Sequence, residues 1–382
     1  MEAIIANEFL NEFVDPSSSS DEEMEAVLVD RYAHPKVKGF IERVVYSYTD
    51  LEFKNNFRIS RGSAEYLVET YSSSRFYTDR SYQGGRPQST AEAHMLSFLW
   101  FSANKTTFRE VANLFDVSLS NLHSTFNKVL SFLMEDVAPE TIKFHKEEEE
   151  KEAIAREFEK IAGFPNVLGC IDGTYITARK PKGKIRSTYT NRHDSVSITL
   201  QGICDANLRF LDVYTGIPSK IPDSRVLKLS FIGSELQNAC APKYHLLGDS
   251  AYPLREYLLT TFRDYGNMCE REKKYNLKFC QTCVKIENTF VVLKSRFRQL
   301  MRLDFHNVET MAKFIIACCT PHNICIARND SCDIDIDHIN VNSYELTQTE
   351  IKSIDFRVVL IIVLRRVEYN VLLMEEKNVN KK

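Results

Sequence analysis

The run 166–177, NVLGCIDGTYIT, sets the hardest condition on how this chain folds. It has the apolar, β-branched make-up of a buried strand, yet a carboxylate, Asp172, stands in its middle. A carboxylate withdrawn from water is costly unless hydrogen bonds or a cation compensate it. Gly173 beside it removes a side chain where a ligand or another stretch of backbone would approach. An Asp-Gly pair also suits a turn or a helix cap, but Tyr175 and Ile176 continue the strand, which favours a metal ligand over a turn.

Two further acids stand in different surroundings. Asp249, in YHLLGDSAYPL, ends a short apolar run just before an expected helix start at Pro253, and the carboxyl ends of strands are where open α/β sheets place functional groups. Glu287 lies on an amphipathic helix expected over 281–300, whose core stripe is Ile286, Phe290, Leu293, Phe297 and Leu300. Its helical neighbours Cys283, Val284, Phe290 and Val291 are uncharged, so an i,i+4 ion pair is closed to it. Lys294 and Arg298 follow along the same side. Acids on strand, strand end and helix can converge as Mg²⁺ or Mn²⁺ ligands for phosphoryl transfer, with the cations along a phosphate track. Lys180, Lys182, Lys184 and Arg186, just after the first strand, form a second candidate phosphate contact. A solvated basic loop would look the same.

The charge distribution points the same way. Across 382 residues the formal charge is −3, but residues 161–330 hold 24 Lys and Arg against 15 Asp and Glu, a balance of +9 that leaves −12 elsewhere. A basic central module suits a polyanion, because neutralised phosphates release counterions. Ten cysteines without close, even spacing argue against a secreted disulfide framework. Only Cys280 and Cys283 form a CxxC, with no second pair to complete a structural zinc set. The start, MEAIIANEFL, lacks the basic n-region of a secretory signal, and the late apolar run 358–364 is too short to span a bilayer; no membrane is expected.

Along the chain, the acidic, Ser-rich residues 1–30 read as disordered, and 31–162 as an all-helical region. Ser89-Thr90-Ala91-Glu92 has the form of a capping box. Phe108, Val111, Ala112 and Phe115, then Leu122, Phe126, Val129 and Leu133, form two stripes of a helix-turn-helix at about 106–134. Its second helix offers Asn121, Asn127 and Lys128 to a DNA groove, although any helical hairpin shows similar spacing. A long helix is expected from Pro139 to its end at Gly163 and Pro165. Beyond that the period changes, with strands at 167–177, 196–204 and 209–217, a turn at Asp205-Ala206-Asn207, a helix at 223–238 and a strand at 243–248. Three meander strands, then helix, strand, helix, describe an α/β ribonuclease-H-like domain over 163–328, a mixed sheet with flanking helices. A divergent tail fills 329–382.

With CIDGTYI, YTNR followed by QGICD, LLGDSAYPL, IENTF with LKSRFRQL, and the HN of CCTPHN in this order, the chain resembles the PIF/Harbinger superfamily of DDE transposases and its transposase-derived nucleases. The resemblance spans about 44–328. It implies a ribonuclease-H-like fold, two divalent cations, Asp172, Asp249 and Glu287 as the acidic triad, DNA as substrate with Arg192 of YTNR among its contacts, nuclear residence with some cytoplasmic presence, a Myb/SANT-like partner and self-association. Four departures stand near the site, one of them Pro321 in place of the usual leucine before HN. Residues 218–224 lose a glycine and a histidine of the family pattern but keep Asp223 as an accessory acid, Cys283 replaces a basic residue, and Val291 replaces a glycine. The function expected is a metal-dependent nuclease acting on DNA phosphodiesters. The alternative is a catalytically silent DNA-binding adaptor that keeps the fold.

Overall fold

Side-chain caps set most of the helix starts in the N-terminal part of the molecule. After a short α1 (Phe40–Arg43), residues Thr49, Ser60, Thr90, Thr107 and Ser118 each accept the amide three residues on, and so open α2 (Asp50–Phe57), α3 (Arg61–Ser72), α4 (Ala91–Ala103), α5 (Phe108–Leu114) and α6 (Leu119–Phe132). The capping box expected at Ser89 is displaced by one residue. Thr90 is the cap, and Glu92 instead accepts from the Tyr46 hydroxyl at 2.8 Å. Reciprocal boxes form at Thr49 with Glu52 and at Thr107 with Glu110.

These elements come from a computed structural model that describes residues 36–78, 89–184, 186–191 and 194–330. The expectations for the Ser-rich N-terminus, a helical start near Arg31, Arg192 and the tail beyond 330 lie outside the described residues.

α4 is buried nearly all round and forms the hub against which α2, α3, α5 and α6 pack. Phe98, Phe101, Phe108 and Phe126 meet Phe305 and Phe314 in one aromatic cluster, which welds the helical region to the C-terminal part of the chain.

The single long helix expected from Pro139 is broken. α7 (Ala138–Thr141) ends at Ile142, which turns extended and is buried, and α8 (Glu148–Ala162) starts afresh. Three glutamates in the first turn of α8 suit the positive end of its dipole, which explains why the chain restarts as helix there.

Five strands form one mixed sheet in the order β3-β2-β1-β4-β5: β1 (Val167–Thr177), β2 (Ser197–Cys204), β3 (Phe210–Pro218), β4 (His245–Gly248) and β5 (Leu258–Leu259). β1 pairs antiparallel with β2 and β2 with β3, whereas β1–β4 and β4–β5 are parallel. The expected turn is present, with Asp205 accepting the amides of Asn207 and Arg209.

Short α9 (Arg186–Tyr189) follows β1. The helix expected at 223–238 is two, α10 (Asp223–Leu229) and α11 (Phe231–Cys240), divided where Ser230 leaves the helix and caps the second. No helix starts at Pro253; the chain there runs irregularly into β5. α12 (Glu270–Arg296) begins earlier than its apolar period, because its first turns are polar and exposed. α13 (Val308–Ala327) is long and apolar enough to cross a membrane, but 78% of its apolar window is buried inside the protein, as in a core helix.

Candidate active site

The position of Asp172 follows from register. It pairs with Gly202 on β2, and directly opposed residues share a face of the sheet. A side chain at Gly202 would meet Phe210 and Phe290, so this face looks toward α12. Two residues earlier on the same face, the Cys170 thiol donates to the Thr282 carbonyl of α12 at 3.4 Å. Farther along, Lys294 of α12 donates to the Thr174 hydroxyl at 2.8 Å and the Tyr175 carbonyl at 3.0 Å. α12 therefore runs beside β1 in the same direction. From the Cys170–Thr282 contact, two strand residues advance about 6.6 Å and five helical residues about 7.5 Å, which sets Glu287 beside Asp172.

Asp249 reaches the same level by a different route. Ile171 of β1 is in register with Gly248 of the parallel strand β4, so Asp172 and Asp249 follow at adjacent strand positions. Gly248 is required by this close approach, since a side chain there would press on Ile171 and Tyr252. Past the strand, the Asp249 carboxylate accepts the Ala251 amide at 2.9 Å, and its carbonyl accepts the Tyr252 amide at 3.2 Å. The buried Tyr252 ring returns to the sheet, where its hydroxyl donates to Gln201 Oε1 at 3.0 Å. Sequence reasoning missed Tyr252 and Gln201. Both stand inside the quoted motifs, but nothing local announced that they touch.

Asp223, at the first position of α10, is the fourth acid. Gly173 turns its empty Cβ position to the face opposite Asp172, and the Asp223 carboxyl occupies that space. Any side chain at position 173 would collide with it.

The electrostatics confirm that the four acids share one field. Asp172 is pushed up to about 7, chiefly by burial and further by Asp249, Asp223 and Glu287, against the pull of the Gly173 amide it accepts at 2.7 Å. The Tyr252 hydroxyl is held well above its usual range by burial and by Asp223, Asp172 and Asp249. Among the described residues, however, no three His, Cys, Asp or Glu side chains stand close enough to ligate one ion. In kind, the donor set fits a hard divalent cation: four carboxylates, one of them raised to about 7 by burial and by the other three.

The other expected site residues lie outside the acid cluster. Lys180, Lys182, Arg186 and Arg298 are exposed, and Lys184 is half-buried. Lys294 is committed to β1 by the two bonds above. Asn121, Asn127 and Lys128 line the exposed side of α6 in the helical region. Phe108, Val111, Leu122 and Phe126 form the contact between α5 and α6, while His123 stacks on Phe108 with ring centroids 4.3 Å apart.

The comparisons with known proteins bear on this arrangement. Residues 171–323, from the position before Asp172 to Asn323 on α13, match the DDE superfamily endonuclease family. The chain is 29% identical to Putative nuclease HARBI1 of Bos taurus over 279 residues, covering 72% of this chain and 78% of that one. It is also 29% identical to Putative nuclease HARBI1 of Homo sapiens over 236 residues, 61% of this chain and 66% of that one. Protein ALP1-like of Arabidopsis thaliana is 25% identical over 313 residues, 76% of this chain and 75% of that one. No solved structure matches the chain.

Proposed function

Because this chain belongs to the DDE superfamily, among the homologues of Harbinger transposase-derived nucleases, we propose that it is a divalent-metal-dependent endonuclease hydrolysing DNA phosphodiester bonds. The observation that carries this reading is the half-buried Asp172, which strand register and the course of α12 set beside Asp249 and Glu287 with Asp223 across Gly173, and which burial and these acids raise to about 7. A purely structural carboxylate gains nothing from such neighbours.

In this reading Asp172, Asp249 and Glu287 would hold Mg²⁺ or Mn²⁺, two ions being expected, with Asp223 as accessory acid. The bound ions supply Lewis acidity, activating water and stabilising the leaving 3′ oxygen of an in-line displacement. The chain's own groups do the rest. Asp172, raised to about 7, would hold a cation only in its deprotonated form, Lys294 braces β1 against α12, and Tyr252 with Gln201 ties the Asp249 turn to the sheet.

The sheet order supports a ribonuclease-H-like core, and α5 with α6 serves as a helix-turn-helix that offers Asn121, Asn127 and Lys128 to DNA. Nuclear residence, a Myb/SANT-like partner and self-association belong to the same proposal.

One observation favours a second reading, a catalytically silent DNA-binding adaptor: the four acids do not converge on one ion's shell. Thermal stabilisation by Mn²⁺ separates the two, since a ligand of the native state must raise its stability. Saturable stabilisation in the wild type that is lost in Asp172→Asn is expected, together with loss of DNA cleavage. A wild type that Mn²⁺ does not stabilise would move the assignment to the adaptor.

A further inference from the structure

A run of cations continues along β1 from Lys294, which lies on the same helix as Glu287 of the acid site. Beyond Lys294 the chain stays beside β1: the Leu303 amide donates to the Thr177 carbonyl at 2.9 Å, the Arg179 amide to the Leu303 carbonyl at 2.7 Å, and the Lys182 amide to the His306 carbonyl at 3.0 Å. Residues 294–306 therefore lie alongside 174–182. One segment carries Lys294, Arg298, Arg302 and His306, and the other carries Arg179, Lys180 and Lys182. No acid occurs in 173–191, and 288–308 holds only Asp304, which pairs with Arg302 at 3.8 Å.

The path ends in an open cleft of about 730 Å³ lined by Arg179, Lys180, Pro181, Lys182, Gly183 and His306. The Arg179 guanidinium donates to His306 Nε2 at 3.3 Å, which holds both groups at the cleft wall. A side chain at Gly183 would meet nothing within 4 Å, so the turn at the rim is unobstructed. A wide, cation-lined trough suits the backbone of a polyanion, whereas an enclosed, mostly apolar pocket would suit a small ligand.

We infer that this track grips the phosphates of duplex DNA on one side of the cleavage point and that its far anchor is the Arg179, Lys180, Lys182 and His306 cleft. Arg179 follows Asp172 by seven residues of extended chain, roughly 23 Å at about 3.3 Å per residue. Duplex DNA rises about 3.4 Å per base pair. A duplex lying along β1 would continue about seven base pairs past the scissile phosphate to reach this anchor, and a shorter flank would lose it. The inference rests on the DNA-cleaving reading above and adds to it the substrate form and a binding site that includes Arg179 and His306.

The test is a fluorescence titration of the full chain with duplexes of increasing length, at several salt concentrations. Three proteins are compared: wild type, Lys180→Gln with Lys182→Gln, and Lys180→Arg with Lys182→Arg. Wild-type affinity should step up once the duplex spans acid site and cleft. In the Gln pair that step should vanish, and the slope of log affinity against log salt should shrink by about 1.8, two phosphate contacts at about 0.9 each. The Arg pair should keep both. An unchanged slope and step in the Gln pair, or their loss in the Arg pair, overturns the inference. The Mn²⁺ thermal shift, measured on the same three proteins, should be equal throughout, because none of the changes touches the acids. If that shift is missing from the wild type while the length step persists, the hydrolytic reading fails and the duplex grip stands.

Discussion

Burial acts on both Asp172 and Asp330, the first beside Glu287 on α12 and the second beside Arg296 at the end of that helix, and their surroundings are opposite in sign. Asp172 lies among three acids and keeps its proton to about pH 7. Asp330, just past α13, is buried too, and burial alone would raise it. The Ser60 amide and the nearby Arg296 outweigh that and lower it instead, with Lys54 at 3.4 Å completing the set. Arg296 is itself fully buried and donates to the carbonyls of Arg58 at 2.7 Å and Asp330 at 2.8 Å. The second cluster is a structural clasp that binds the end of α12 to the α2–α3 connection and to the residues after α13. A fold can bury a carboxylate well when it supplies the counter-charge, and the groups that set the level of Asp172 include three acids and no cation. The missing charge there is what a cationic ligand would bring.

Breaking the clasp should have the largest effect. Arg296→Leu leaves the buried carbonyls of Arg58 and Asp330 without their donor and withdraws positive charge from near the Asp330 carboxylate, which keeps Lys54 and the Ser60 amide. It should cost about 2–4 kcal/mol of stability in urea denaturation at pH 7; a loss below about 1 kcal/mol would mean the clasp is ornamental. The pH response comes next, with opposite signs at the two sites. Asp172 is raised from 3.8 to about 7, so between those values the native state binds more protons than the unfolded state. Stability should fall as pH rises through that window, by at most about 4 kcal/mol at about 1.36 per unit. Asp330 is lowered, so its contribution is complete above 3.8 and is lost only as pH falls below it. Asp172→Asn should flatten the decline between pH 4 and 7 in calorimetry. Part of it should persist through Asp212, which burial alone pushes to about 7. Should the curve of Asp172→Asn overlay that of the wild type, the two sites do not differ as claimed.

Mn²⁺ sharpens the same comparison. At 100 times its dissociation constant it should add about 2.7 kcal/mol at pH 8, and less at pH 6, where the proton competes for Asp172; Arg296→Leu should leave the increment intact. Gly173→Ala forces a methyl group against Asp223 and should cost about 1–3 kcal/mol, with a weaker Mn²⁺ response. The smallest effect belongs to Lys128→Ala on the exposed side of α6. Its stability should stay within about 0.5 kcal/mol of wild type, while the salt slope of DNA binding drops by about 0.9.

The parts of the fold that were legible in the sequence have a local period. β1 through β3, the hairpin at Asp205 and the buried stripe Ile286, Phe290 and Leu293 appear where alternation or helical spacing put them, whereas Phe297 and Leu300, expected on the same stripe, are buried beyond the end of α12 at Arg296. Breaks within polar or mixed stretches were not legible. Ile142 leaves the helix for the core, Ser230 interrupts one helix to start another, and the first turns of α12 carry no apolar stripe. Arg296 reads as one more cation on a basic helix, and only packing puts it in the interior.

By itself the sequence determined which segments are strand or helix and which residues bring carboxylates and cations, because propensity and periodicity depend on neighbours a few positions away. Tertiary structure decided that Asp172, Asp223, Asp249 and Glu287 share one electrostatic field and that Arg296 and Asp330 share another. Those encounters depend on strand register, on the parallel crossover to β4 and on the direction of α12 along β1, which bring together residues tens to hundreds of positions apart. Local spacing carries no record of such distances.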